Sequence, residues 1–138
     1  MAVPFALPNS SHEVVLNLPL PPSANRLWGQ GGGVGKHRVF RTPEYKAWTR
    51  HADKIALTQK RELIPQWFTV EILLHHSGRM ARSSDSDNRI KAVLDYLQRI
   101  HIIENDKYCI GGSWRWAPLT EAPEGCKVIV RTWHGDHP

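Results

Sequence analysis

One apolar stripe constrains the fold more than any other feature of this sequence. Ile90, Val93, Leu94, Leu97 and Ile100 fall on a single helical face, and they predict an amphipathic helix over about 87–101. A helix of this kind has to bury that face, so the rest of the chain must supply a partner surface. Residues 68–76 offer one, because Phe68, Val70, Ile72 and Leu74 alternate with Thr69, Glu71 and Leu73 at the period of a strand with one buried side. Thr42-Pro43-Glu44 announces another helix with a hydroxyl, a proline and an acid. Tyr45, Trp48, Ala52, Ile55 and Ala56 form its apolar face, while Lys46, Arg50, Lys54, Lys60 and Arg61 populate the remaining surface.

Shorter signals complete the order. Val14, Val15, Leu16 and Leu18 read as a first strand ending at Pro19, since Leu20-Pro21-Pro22-Ser23 cannot continue a central strand. Tyr108, Ile110, Trp114 and Trp116 predict a third strand, weakened by Gly111-Gly112 at a bulge. Residues 126–133, with Val128 and Val130, predict a fourth, and 118–125 then serves as the hairpin loop between the last two. The order β-α-β-α-β-β implies an α/β chain of the α+β kind, a small mixed sheet with two helices against it. With 138 residues, 41% of them hydrophobic, it suits one core. That domain spans 13–134, between a flexible arm at 1–12 and a short tail at 135–138. Within it, 25–41 reads as a mobile basic glycine-rich loop, with Arg26, Lys36, His37, Arg38 and Arg41 among five glycines.

Charge and composition narrow the function. Eighteen Lys and Arg against thirteen Asp and Glu give a net charge of +5, which suits a polyanionic partner. No apolar stretch is long enough to span a bilayer, and residues 1–20 lack the apolar block of a secretory leader, so a cytoplasmic chain without a membrane partner is expected. Cys109 and Cys126 have no C-x-x-C partner and read as reduced, structural thiols. The six tryptophans read mostly as core, and the histidine pairs His75-His76 and His134/His137 as incidental. The glycine loop fails the phosphate-loop pattern, with Gln30 where a glycine and His37 where a serine or threonine is required.

Chemistry concentrates around the striped helix. Asp85-Ser86-Asp87-Asn88-Arg89-Ile90-Lys91 forms its entrance, Asp95 lies further along it, and Glu104-Asn105-Asp106 follows its end. At about 100° per residue, Asp87, Lys91 and Asp95 share an arc of about 80° bordering the apolar stripe. Crowded carboxylates repel unless a cation neutralises them, and a hard divalent ion accepts carboxylate, water and phosphate oxygens. The same acids also suit a helix start by capping and by the macrodipole, and Asp87 with Lys91 fits an ordinary surface pair. Arg79, Arg82 and Arg89 nearby are what a phosphodiester substrate requires.

These residues resemble the RusA family of Holliday junction resolvases, small endonucleases of phages and prophages. Leu18-Pro19-Leu20-Pro21-Pro22-Ser23-Ala24-Asn25-Arg26 is similar to the family's first strand and turn, and Asp85-Ser86-Asp87-Asn88 with Lys91 and Asp95 to its D-x-D-N-x-x-K-x-x-x-D signature. Asp106 stands where the family has its last essential aspartate. The resemblance implies that Asp85, Asp87 and Asp106 bind Mg²⁺, for which Mn²⁺ substitutes, and that Lys91 is the catalytic lysine, with Asp95 in support. It implies a homodimer nicking two strands of branched DNA symmetrically. Asn25, Arg26, Lys36, Arg38, Arg41, Arg79 and Arg82 would hold the junction arms by phosphate contacts. Alternatives from the residues alone are a non-catalytic junction- or single-strand-binding protein and a metal nuclease preferring flaps or forks. The glycine usual between this helix and the last acid is absent from residues 98–103.

Overall fold

The computed structural model describes residues 12–22, 28–31, 38–41, 43–75, 87–118 and 124–138, leaving aside the side chains of 28–31, 38–41, 87 and 88. Among these residues six strands and two helices run in the order β1 (Glu13–Leu18), β2 (Trp28–Gly31), β3 (Arg38–Arg41), α1 (Pro43–Ala56), β4 (Phe68–His75), α2 (Asp87–Arg99), β5 (Cys109–Ala117) and β6 (Gly125–Thr132), with a 3₁₀ turn at Asp106–Tyr108 before β5. Four strands make one sheet in the order β1-β6-β4-β5; β6 is antiparallel to both β1 and β4, and β5 is parallel to β4. The fold shows the predicted α+β class, and the four-stranded sheet with its two helices keeps the predicted order β-α-β-α-β-β.

The alternation read from the sequence decides which sheet face is buried. Val14, Leu16 and Leu18 of β1, Phe68, Val70, Ile72 and Leu74 of β4, and Cys126, Val128 and Val130 of β6 join one core with Tyr45, Trp48, Ala52 and Ala56 of α1 and Ile90, Val93, Tyr96 and Leu97 of α2. On the opposite face Arg131 bridges Glu13 at 2.7 Å and Glu71 at 3.2 Å, linking three strands through charges that stay in water.

The structure departs from the sequence reading in three places. First, β5 and β6 are not a hairpin, because β4 lies between them. β6 carries alternating apolar residues and has a neighbour on each side, whereas β5, exposed from Gly111 to Arg115, takes the sheet edge. Second, β2 and β3 pair antiparallel within 25–41, with Trp28 opposite Arg41 and Gly31 opposite Arg38. Glycine-rich segments give no alternation to read, so this ribbon was invisible in the pattern. Third, the tryptophans are not mostly core. Of those whose side chains are described, Trp48 alone is buried; Trp114 and Trp133 are exposed and Trp67 and Trp116 half-buried.

The expected bulge is present. Phe68 faces Cys109 but Thr69 faces Gly111, leaving Ile110 as the extra residue immediately before the glycine pair. The helix end explains the missing glycine. His101 adopts φ 63°, its N–H donates to the Gln98 carbonyl at 3.2 Å, and the Ile102 N–H donates to that of Leu97 at 2.9 Å. This is the closing turn that glycine normally supplies, held here by the buried pair Leu97 and Ile102 against the strain of a side chain at positive φ.

Both thiols fit the reduced reading. Cys109 pairs with Phe68 and Cys126 with Leu74, which places them about 20 Å apart along β4 at ~3.3 Å per residue, too far for a disulfide. Burial pushes the Cys126 thiol up to about 12 from its ordinary 9. The unfolded thiol therefore loses its proton first, so the stabilisation is complete below pH 9 and is lost as pH rises toward 12. Denaturant midpoints measured across that range should fall more steeply in the wild type than in Cys126→Ala, by about 1.4 kcal/mol per pH unit.

Candidate active site

α2 carries the candidate residues in order along its length. Asp87 is its first residue, Lys91 is exposed one turn later, and Asp95 is half-buried a further turn on. The Tyr45 hydroxyl, itself in the core, donates to Asp95 Oδ2 at 2.5 Å. Asp95 thus ties α1 to α2, a structural duty at the position read from the sequence as supporting. Asp85, Asn25, Arg26, Lys36, Arg79 and Arg82 lie outside the described residues, and Arg38 and Arg41 are placed only by the backbone of β3.

Arg89 corrects one expectation. It is 8% exposed; Nη1 donates to the Pro21 carbonyl, and the guanidinium lies 5.8 Å from the centroid of the Trp116 ring. It acts inside the fold, whereas the sequence suggested a cation facing a phosphodiester. On the other side Trp48 Nε1 donates to the Pro19 carbonyl at 3.0 Å. The proline turn after β1 is therefore pinned to both helices, and the two motif segments, distant in sequence, meet at the entrance of α2. Arg89→Lys keeps the charge but loses the fork, and it should lower stability by about 2 kcal/mol. Urea denaturation would read this, and junction cleavage should fall with it if the pinned turn positions the site.

Asp106 stands elsewhere. It is exposed at the start of the 3₁₀ turn, where its N–H donates to Gln98 Oε1 at 3.1 Å and the Asn105 side chain accepts from the Lys107 N–H at 2.9 Å. Gln98 is eleven residues beyond Asp87, which is about 16 Å along a helix axis. The strands agree: Arg89 lies over Trp116 near the end of β5, whereas Asp106 precedes its first residue. Within one chain, Asp87 and Asp106 occupy opposite ends of α2. Among the described residues no three His, Cys, Asp or Glu side chains gather as a metal cage.

The histidines contribute no metal site among these residues. His75 is buried at the end of β4, and His137 stacks on Trp67 with centroids 4.6 Å apart. Residue patterning carries no sign of the Tyr45–Asp95 and Arg89–Pro21 links, since each joins residues far apart in the chain.

Comparison with protein families settles the class: the model of the family described as endodeoxyribonuclease RusA matches residues 19–116, well over half of the chain. The chain belongs to this Holliday-junction resolvase family, and it is an enzyme that hydrolyses phosphodiesters, a structure-specific endonuclease acting on Holliday junctions in DNA recombination and repair. Members of the family depend on Mg²⁺ and act as homodimers on four-way DNA junctions. No individual curated protein matches the chain. No described helix is long and apolar enough to cross a membrane.

Proposed function

We propose that this chain resolves four-way junctions by paired symmetric nicks, with Asp85, Asp87 and Asp106 holding Mg²⁺ and Lys91 at the scissile phosphate. The observation that carries the reading is the junction of the two motif segments: the Pro21 carbonyl accepts from Arg89 within the first turn of α2, between Asp87 and Lys91. The described part of the proline turn thereby lies against the first turn of α2. The donor set fits the ion, because carboxylate oxygens are the hard ligands Mg²⁺ takes alongside water and phosphate. The bound ion would supply an activated water and charge neutralisation at the phosphate. Lys91, exposed one turn from Asp87, would neutralise a phosphate oxygen as charge develops on it. Arg26, Lys36, Arg38, Arg41, Arg79 and Arg82 would hold the arms through the backbone, which positions the DNA and reads no sequence.

The separation along α2 gives the homodimer a chemical role. Ligands of one Mg²⁺ lie ~2.0–2.1 Å from it, so acids at opposite ends of a helix cannot share an ion within one chain. Two copies related by a two-fold axis can pair the Asp87 of one with Asp106 of the partner subunit. Among the described residues β5 ends the sheet. Antiparallel pairing of two β5 edges sets the start of one strand, next to Asp106, beside the end of the other, next to Arg89. The enzyme would act in the cytoplasm of a bacterium carrying a phage or prophage. The test is a labelled four-way junction beside flap, fork and linear duplex, with and without Mg²⁺. Paired nicks confined to the junction and to Mg²⁺ support the reading; equal cutting of flaps, or binding without cutting, would replace it.

A further inference from the structure

The exposed side of the helix pair carries more positive charge than its acids can offset. Lys46, Arg50 and Lys54 stand at four-residue spacing on α1, all exposed, and their pattern alone assigns them no duty beyond solvation. They span about 12 Å of helix axis. A cleft of about 290 Å³ opens against this ridge, lined by Tyr45, Lys46, Thr49, Arg50 and Arg99. Two nearby carboxylates are already engaged. Asp95 accepts from Tyr45, while Asp53 accepts from the Tyr96 hydroxyl at 2.7 Å and pairs with Arg99 at 3.3 Å. Lys46, Arg50 and Lys54 form no ion pair with any described residue, whereas Arg99 is braced by Asp53 and still half-exposed.

The cleft and the candidate site follow one another along α2. Lys91, Asp95 and Arg99 follow one another at four-residue spacing along α2, so Arg99 lies about 12 Å of helix axis beyond Lys91. Tyr45 is both a wall of the cleft and the donor to Asp95, which sits midway between them. Duplex DNA carries one charge per ~1.7 Å of axis, so a backbone reaching Lys91 would present several phosphates over the distance to this ridge.

We propose that the α1–α2 cleft is a second DNA-backbone site, in which Lys46, Arg50 and Lys54, with Arg99, hold phosphates of the junction arm leaving the catalytic end. This rests on the reading of the chain as a junction nuclease and adds to it residues that the motif segments do not contain. These are positioning residues, acting on the arm away from the reacting phosphate. They distinguish a long arm from a short one, because an arm that ends before the cleft has no phosphates to offer it.

The test is equilibrium binding of a labelled four-way junction in EDTA from about 50 to 200 mM salt, where each phosphate contact contributes about 0.9 to the slope of log K against log salt. The triple variant Lys46→Ala, Arg50→Ala, Lys54→Ala should lower that slope by two to three, at about 0.9 per lost contact. The charge-preserving triple Lys46→Arg, Arg50→Lys, Lys54→Arg should restore it. Lys60→Ala, an exposed lysine outside the cleft, should leave it unchanged. If the wild type cuts junctions and the alanine triple keeps the full slope, the cleft is wrong and the nuclease reading stands. If the wild type binds junction and duplex alike without cutting either, yet the triple loses slope, the junction reading fails and the backbone site stands.

Discussion

Asp87→Asn is expected to remove Mg²⁺-dependent cleavage of a four-way junction by about a thousandfold or more, while leaving junction binding in place. A metal ion contributes several kcal/mol of charge stabilisation to phosphoryl chemistry, and each 1.36 kcal/mol is tenfold in rate. The amide keeps the size of the side chain and a hydrogen-bond acceptor, so a helix start should survive the change. Single-turnover cleavage beside a binding isotherm in EDTA separates the two effects. Loss of both together would mean that Asp87 serves the fold and not the metal. Asp106→Asn should behave in the same way, although it lies at the other end of α2, where its described hydrogen bonds, from its N–H to Gln98 and from the Cys109 N–H to its carbonyl, are made by the backbone and are kept by the variant.

Gly112→Ala should be the most destabilising single methyl in the sheet. A Cβ at this position would lie 2.0 Å from the Val70 carbonyl oxygen, inside the β4–β5 pairing, where neither backbone can retreat without breaking the ladder. A cost of about 3 kcal/mol is expected from such overpacking, which corresponds to a fall of about 10 °C in melting temperature for a domain of this size. Gly111→Ala is the matched control. It adds the same methyl one residue away, where nothing lies within 4 Å. Thermal melts of the two variants side by side separate crowding from any general intolerance of the glycine pair, because a general intolerance would lower both equally.

The elements that were legible in the sequence are those whose side chains alternate or recur against a core. The α2 stripe, the β4 alternation and the proline-led start of α1 were all readable, because burial imposes a period on residues adjacent in the chain. Periodicity says nothing about which strand neighbours which. β6 slots between β1 and β4 for reasons spread over three strands, and the short link from β5 therefore looked like a hairpin. The glycine-rich β2–β3 ribbon has too few apolar side chains to leave a period.

The candidate site divides along similar lines. Its residue types and their spacing along α2 were evident, since D-x-D and a lysine one turn later sit on a predicted helix. Arg89 was misread because its neighbours in sequence are charged and polar, whereas its neighbours in space are the Pro21 carbonyl and the Trp116 ring. Asp106 looked close to Asp87 because both flank one helix. The length of that helix is the distance that separates them.

The most direct test of a site shared between two copies is complementation. Asp87→Asn and Asp106→Asn chains, each inactive alone, are mixed under conditions that let subunits exchange, and junction nicking in Mg²⁺ is measured. In a mixed dimer with shared sites, one site receives both intact aspartates and the other neither. Random exchange then restores about a quarter of the wild-type sites, seen as single nicks in place of paired ones. If each chain builds its own site, every site in the mixture lacks one aspartate, and the absence of any restored nicking would contradict the shared-site arrangement.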